Sequence, residues 1–187
     1  MTVRSETQSS RLRASEAACL LFIAEGTDQT VASLAAHIGL SERTFYRYFS
    51  TREQVIRPVL EHGIATVAST FAAEPLTDSF MDVAILGFER TLWGDHADYT
   101  RRLVPLLLQD TELYAVWLST IRDFEAALLP LVAARLGVSE ESLRAHLATA
   151  ALVSAMRVSF EHPSEDPAGT MSEALALLGD GIFTRGS

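Results

Sequence analysis

Residues 30–49 contain two short helical patterns that meet at a glycine, and no other feature constrains the fold of this 187-residue chain as much. Thr30 and Ser41 each precede one pattern and carry side chains that can cap a helix N-terminus. Gly39 lies between the patterns, where a tight turn requires a positive φ. Apolar residues occupy one face of each pattern, at Leu34, Ala35, Ile38, Leu40, Phe45 and Phe49. The segment therefore predicts a helix-turn-helix.

The opposite face of the second helix is polar, cationic and aromatic. It carries Glu42, Arg43, Thr44, Tyr46, Arg47 and Tyr48. Such groups contact phosphates and base edges when a second helix of this kind lies in a major groove. Taken singly, each residue could instead coat a solvated helix. Together with the two caps and the glycine turn, they indicate DNA binding.

The charge of the chain is distributed unevenly. The net charge is −9, but residues 1–57 carry seven arginines and six acidic residues, a net +1. Residues 58–187 carry eight arginines and eighteen acidic residues, a net −10. An acidic body repels nucleic acid, whereas a locally cationic N-terminal segment does not.

Helical patterns cover nearly all of the remaining sequence. One stops at Gly26; another opens with Ser50 and Glu53, at the spacing of a capping box, and contains Pro58, which should kink it. Later patterns predict helices over 78–93, 99–108, 111–136, 139–160 and 171–183, with a loop over 161–170. No segment shows the sustained alternation of a strand, so the expected fold is all-α.

Several functional classes are not expected. The chain has no run of about eighteen apolar residues and no apolar N-terminal stretch, so we expect no membrane span and no signal peptide. Its single cysteine, Cys19, lies in an apolar run, which suggests a buried thiol and a cytoplasmic protein. No catalytic, phosphate-binding or metal-binding pattern stands out, so we expect no enzyme, cofactor or metal. The five histidines are dispersed, at 37, 62, 96, 146 and 162.

The sequence "TVASLAAHIGLSERTFYRYFSTREQVI" closely resembles the DNA-binding segment of TetR-type transcriptional regulators. The resemblance covers residues 11–57, and Thr44, Phe45, Tyr46 and Phe49 all fall at the expected positions. The stretch "EGTDQTV" departs from the family because no aromatic residue follows its glycine. The resemblance implies an N-terminal three-helix helix-turn-helix DNA-binding domain over residues 1–52. It also implies a C-terminal helical ligand-binding and dimerisation domain over residues 53–187.

The same resemblance implies roles for individual residues. Arg43 would read a base edge, and Tyr46 and Tyr48 would bind phosphate through their hydroxyls. Arg52 stands where the family usually has a phosphate-contacting lysine. The full set of expected DNA contacts is Thr30, Ser41, Arg43, Thr44, Tyr46, Arg47, Tyr48 and Arg52.

The helix expected over residues 143–160 is apolar nearly all round, so it should be buried on two sides. It could be the core helix of a monomer, but the resemblance points to a homodimer formed by the last two helices. The expected interface residues are Leu143, Leu147, Ala150, Ala151, Ser154, Leu175, Leu178 and Ile182.

Aromatic residues of the middle helices suggest a pocket for a small, mostly apolar effector. Aromatic side chains at helical spacing more often form a core, and Arg102 could pair with Asp98 instead of meeting a ligand. The expected ligand residues are Phe88, Trp93, Tyr99, Arg102, Trp117, Phe124 and Met156.

Two functions from different classes follow. The first is a ligand-responsive regulator, most often a repressor, that reads a palindromic double-stranded DNA operator as a homodimer. The second is a helical protein-binding adaptor that kept the fold and lost DNA reading. A small helical enzyme is a weaker third interpretation, because it has no candidate residues.

Overall fold

The computed structural model describes residues 3–92, 97–162, 164 and 166–178; for residues 3–7, 92 and 97–101 it describes the backbone alone. All regular secondary structure in these residues is helical, which confirms the all-α prediction. The helices are α1 (Val3–Glu25), α2 (Val31–Ile38), α3 (Glu42–Tyr48), a 3-10 turn (Glu53–Ile56), α4 (Arg57–Ala73), α5 (Phe80–Leu92), α6 (Ala97–Leu107), α7 (Thr111–Leu136), α8 (Leu143–Glu161) and α9 (Pro167–Leu178). None of the helices in these ranges combines the length and apolarity needed to cross a membrane.

The chain forms two compact units, each made of two stretches. The first contains Met1–Gly63 and Tyr99–Thr120, and the second contains Ile64–Asp98 and Ile121–Ser187. Helices α4 and α7 each contribute residues to both units. The first stretch of the first unit ends at Gly63. The expected boundary between a DNA-binding domain and a ligand-binding domain, between residues 52 and 53, stays a prediction.

In the first unit, α1 packs against α2 and against the 3-10 turn. Its buried face includes Ala18, Cys19 and Phe22, and Ile56 of the 3-10 turn is buried too. Burial raises the pKa of the Cys19 thiol to about 12, which exceeds the opposing effect of a hydrogen bond with Ser15. The thiol is therefore protonated and inert at neutral pH, as the apolar surroundings of Cys19 in the sequence suggested.

The start of α4 differs from the expected kinked helix. The 3-10 turn ends at Ile56, and a new helix begins at Arg57, so Pro58 occupies a first-turn position where an N–H would have no intrahelical acceptor. The next amide, of Val59, donates instead to the buried Ser15 hydroxyl of α1 over 3.3 Å. The expected capping box does not form: the 3-10 turn has no side-chain cap, and the Glu53 carboxylate accepts a hydrogen bond from Arg52 Nε at 2.7 Å.

The second unit has an apolar core to which α4, α5, α7, α8 and α9 contribute. Helix α9 packs against α8 and α5. It begins at Pro167, inside the segment predicted as a loop, because proline suits the first turn of a helix. The Asp166 carboxylate supports this start by accepting a hydrogen bond from the Gly169 amide at 2.9 Å.

Candidate nucleic-acid interface

The turn between α2 and α3 has the local geometry that the sequence predicts. Thr30 Oγ1 accepts a hydrogen bond from the Ser33 amide at 3.1 Å, and Ser41 Oγ accepts one from the Thr44 amide at 3.2 Å. Gly39 has φ +77°, in the left-handed region that favours glycine. These two caps and one turn fix where α2 begins and ends and where α3 begins.

The inner faces of α2 and α3 form part of the core of the first unit. Leu34, Ala35, Phe45 and Phe49 are all buried, and the rings of Phe45 and Phe49 lie 5.1 Å apart between centroids. Ile38 is half-buried. With these residues inside, the remaining positions of α3 form an outer face.

That outer face is accessible and chemically suited to DNA. Arg43, Tyr46 and Arg47 are exposed, and Tyr46 is 54% exposed although it is a large aromatic residue. The Tyr46 ring meets Phe45 edge to face, with 5.8 Å between centroids, which restrains the ring while leaving much of it accessible. In the part of the chain that the structure describes, neither Arg43 nor Arg47 has an acidic partner.

Four further residues expected to contact DNA through hydroxyls differ in accessibility. The Ser41 hydroxyl is exposed and lies 3.0 Å from Thr44 Oγ1, to which it donates a hydrogen bond. Thr44 is half-buried, and Tyr48 is half-buried beneath the Arg47 guanidinium, which lies 5.6 Å from its ring centroid. Thr30 is exposed at the start of α2. Their roles as DNA contacts stay predictions.

Arg52 differs from the other expected DNA contacts because its guanidinium is engaged inside the chain. Nε donates to Glu53 Oε1 at 2.7 Å, and Nη1 donates to the Thr27 carbonyl at 2.6 Å. Nη2 lies 3.5 Å from both Asp110 Oδ2 and Glu112 Oε2. Three carboxylates therefore surround this single cation.

The electrostatics of this cluster follow from its geometry. Burial lowers the pKa of Arg52, but the hydrogen bond to Glu53 and the charges of Glu53 and Asp110 outweigh burial and leave the pKa raised. For Glu53, burial raises the pKa, but the Arg52 hydrogen bond, with further hydrogen bonds and the Arg52 charge, lowers it to about 2. Both groups are charged at neutral pH.

Sequence reasoning did not identify the partners of Arg52. Thr27 precedes it by 25 residues, and Glu112 follows it by 60. No local pattern links residues at such separations. A polar cleft of about 570 Å³ lies among the same elements, lined by Thr27, Asp28, Gln29, Thr30, Arg52, Gln109, Asp110 and Glu112. Within the described ranges, no three metal-ligating side chains converge.

The expected ligand residues that the structure describes belong to both units. Phe88, Phe124 and Met156 are buried in the core of the second unit, where the rings of Phe88 and Phe160 lie 4.8 Å apart. Trp117 is buried but belongs to the first unit, and Arg102 is exposed. Trp93 and the side chain of Tyr99 lie outside the described residues. The packed residues act as core because their aromatic and thioether groups face other apolar side chains.

The expected dimer residues are mostly accessible, with one correction. Leu143 is 74% exposed and Leu147 is 50% exposed, while Leu177, which was not predicted, is 82% exposed. Ser154 and Leu178 are exposed, Ala150 and Ala151 are half-buried, and Ile182 lies outside the described residues. Leu175 is wrong as an interface residue, because it is fully buried in the chain's own core.

Comparison with protein families gives two matches. The sequence model of the bacterial regulatory proteins of the tetR family matches residues 15–59. The model of the MftR C-terminal domain matches residues 75–182, more than half of the chain. A comparison with curated protein sequences gives no match.

Solved structures show the same fold at low sequence identity. GusR of Salmonella enterica is 15% identical, with 94% of this chain and 95% of that chain covered and a TM-score of 0.64. A tetR-family transcriptional regulator of Streptomyces coelicolor is 16% identical, with 94% and 79% covered and a TM-score of 0.58. NalD of Pseudomonas aeruginosa, the secondary repressor of the MexAB-OprM multidrug efflux pump, is 16% identical, with 92% and 95% covered and a TM-score of 0.57.

Proposed function

We propose that this chain, which belongs to the TetR family of bacterial regulatory proteins, represses transcription by binding a palindromic operator as a homodimer and is released by a small effector. Family membership gives the coarser part of this statement, a DNA-binding transcriptional regulator. The observation that carries the proposed reading of DNA is the outer face of α3, with accessible Arg43, Tyr46 and Arg47 and no acidic partner for either arginine in the described residues.

The expected contact residues on this face and at the two N-caps have proposed roles. Arg43, near the start of α3, reads a base edge, since guanidinium groups donate two hydrogen bonds to guanine. Tyr46 and Tyr48 donate their hydroxyls to phosphates, and Arg47 contributes charge. The hydroxyls of Ser41, Thr44 and Thr30 lie near helix N-termini, which attract phosphate.

The homodimer is proposed from the exposed apolar surface of α8 and α9. Leu143, Leu147, Leu177 and Leu178 are large apolar side chains left exposed by a single chain. Large apolar side chains left exposed on two helices that pack together favour an interface, and a two-fold axis lets the same surface serve both copies. Two α3 helices related by such an axis can enter successive major grooves, about 34 Å apart.

Repression and effector release are proposed by analogy with the family, and the structurally similar protein NalD is described as a repressor. A hundredfold release requires about 2.7 kcal/mol of coupling between effector and operator. By reciprocity, operator DNA must weaken effector binding by the same factor. An effector that enters the second unit near Phe88, Phe124 and Met156 must displace side chains, because these residues already fill the core.

Selection from a random duplex pool tests the function and identifies the operator sequence in the same experiment. The wild-type protein should enrich inverted repeats whose half-site centres lie about 10 base pairs apart. The double variant Arg43→Ala/Tyr46→Phe should enrich none, whereas Arg90→Ala should behave as wild type, since Arg90 pairs with Glu74 in the second unit. Enrichment of no duplex by the wild-type protein would favour the adaptor instead.

A further inference from the structure

We infer that Arg52 is a positioning residue that holds the loop before α2 against the start of α7, and that it does not contact DNA phosphate. This inference rests on the proposed function, because the helices it positions are the ones that read the operator. It replaces the role expected for Arg52 from the family resemblance.

All three guanidinium nitrogens of Arg52 are engaged. Nε and Nη1 make the two short contacts, at 2.7 Å to Glu53 Oε1 and 2.6 Å to the Thr27 carbonyl. Nη1 also lies 3.5 Å from the Gln29 carbonyl, and Nη2 faces Asp110 and Glu112. A phosphate contact would require the side chain to break several of these contacts at once. The side chain is only 20% exposed, so little of it is available to a second partner.

The local charge also opposes a phosphate contact. The carboxylates of Glu53, Asp110 and Glu112 all lie within 3.5 Å of the guanidinium, so the cluster as a whole is negative. An approaching phosphate would meet net repulsion, and a departing Arg52 would leave these carboxylates unneutralised. The exposed arginines of α3 have no such surroundings among the described residues.

The loop that Arg52 holds leads directly into the reading helices. Thr27 and Gln29 lie between Gly26, where α1 has ended, and Thr30, the N-cap of α2. A further hydrogen bond joins this loop to α2, because the Ser33 hydroxyl donates to Gln29 Oε1 at 2.8 Å. Helix α2 in turn packs against α3. Fixing the Thr27 carbonyl therefore fixes the point from which α2 starts.

The anchor on the other side is equally well defined. Asp110 Oδ1 accepts hydrogen bonds from the Glu112 and Leu113 amides, both at 3.0 Å, and so caps α7. Its other oxygen, Oδ2, faces Arg52. Leu107 and Leu113 on either side are fully buried. One carboxylate thus couples the end of α6 and the start of α7 to the loop before α2.

Two conservative variants separate positioning from phosphate binding. Arg52→Lys keeps the positive charge, but a single ammonium cannot reproduce the planar fork that reaches Glu53, Thr27 and Asp110 together. Asp110→Asn keeps an oxygen that can cap α7 and removes one negative charge beside Arg52. For a phosphate contact, lysine should suffice and Asp110→Asn should tighten DNA binding. For a positioning residue, both variants should weaken it.

The experiment combines a measurement without DNA and a measurement with it. Hydrogen exchange of the DNA-free protein measures the protection of the amides of residues 27–33. Fluorescence anisotropy over a salt series measures the affinity for the duplex that the wild-type protein selects from a random pool. Arg52→Lys and Asp110→Asn should each raise exchange and weaken binding by about tenfold, since hydrogen bonds to charged groups are among the stronger ones. The slope of log K against log salt should not change. Arg90→Lys and Glu74→Gln, at an ion pair of 3.1 Å in the second unit, should leave every readout unchanged.

Three results would overturn the inference. The first is unchanged hydrogen exchange at residues 27–33 in Arg52→Lys, and the second is tighter DNA binding by Asp110→Asn. The third is a slope of log K against log salt that is reduced by about 0.9 in Arg52→Ala, which is the value of one lost phosphate contact. If the wild-type protein selects no duplex, the proposed function fails, and the exchange measurement still decides whether Arg52 fixes the loop.

Discussion

The guanidinium of Arg135 donates a hydrogen bond of 3.1 Å to the carbonyl oxygen of Phe71, 64 residues earlier in the chain. It also donates to the carbonyls of Glu74 and Pro75, at 2.9 and 2.7 Å. Helix α4 ends at Ala73, so these bonds occupy carbonyls at and just beyond its C-terminus. A buried arginine of α7 thereby satisfies acceptors that the helix itself cannot pair.

Arg135→Met should lower the free energy of unfolding by about 3 kcal/mol, because three carbonyls lose a charged donor at a buried site. Urea denaturation followed by circular dichroism measures this loss. Arg90→Met serves as a control, since the half-exposed Arg90 side chain makes one ion pair with Glu74 and one hydrogen bond to the Thr70 hydroxyl, at 3.1 Å each, which should together contribute only about 1 kcal/mol. Equal losses in the two variants would contradict a capping role for Arg135.

Leu147→Glu should convert the dimer into monomers. Leu147 is 50% exposed in a single chain, and burying an unpaired carboxylate at an interface costs several kcal/mol. Sedimentation velocity at tens of micromolar would detect the change. Leu20→Glu is a matched control, because Leu20 is also 50% exposed but lies on α1. A monomeric wild-type protein under the same conditions would contradict the proposed homodimer.

Arg43→Ala and Arg47→Ala should weaken DNA binding in different ways. Loss of a base contact at Arg43 should cost about 1–3 kcal/mol on the selected duplex and relax base preference at one position of each half-site. Loss of a phosphate contact at Arg47 should weaken all duplexes alike and reduce the salt slope by about 0.9. Repeating the duplex selection with each variant, with a salt titration, distinguishes the two. If Arg43→Ala weakened binding to selected and random duplexes equally, Arg43 would not be a base-reading residue.

Acid should remove the stabilising contribution of Glu53. Its pKa is about 2 in the folded chain against 4.5 for an ordinary glutamate, so the unfolded chain binds the proton first as pH falls. The contribution is complete above pH 4.5 and is lost as pH drops towards about 2. The difference in unfolding free energy between wild type and Glu53→Gln should therefore shrink over this range. Denaturation at a series of pH values measures it, and a constant difference would count against the ion pair.

The sequence predicts the parts of the fold that depend on near neighbours. Thr30 and Ser41 cap helices through amides three residues away, and Gly39 makes its turn within the backbone, so each is legible in a short window. The alternation of buried and exposed residues in α3 is similarly local. The burial of Cys19 is predictable for the same reason, since an apolar run around a thiol indicates a buried position.

Contacts between distant stretches were not predictable in this way. The role of Arg52 depends on Thr27, Asp110 and Glu112, and nothing in a window around residue 52 identifies them. The family resemblance places Leu175 at an interface formed by the last two helices, but the period of α9 turns this residue inward while Leu177 faces out. An apolar helix indicates burial, and only the packing around it distinguishes a core from an interface.

The two-stretch construction of the first unit limits how new operator specificities can arise. Residues 1–63 and 99–120 belong together, yet 35 residues of the second unit separate them. A single recombination crossover between two regulator genes, placed between positions 52 and 110, would combine Arg52 of one parent with residue 110 of the other. The hybrid would then carry a mismatched pair. The same constraint applies when the DNA-binding helices of one regulator are transferred to another by design, and both stretches should then be transferred together. Substitutions on the outer face of α3 leave this pairing intact, which makes them the easier route to a new target sequence.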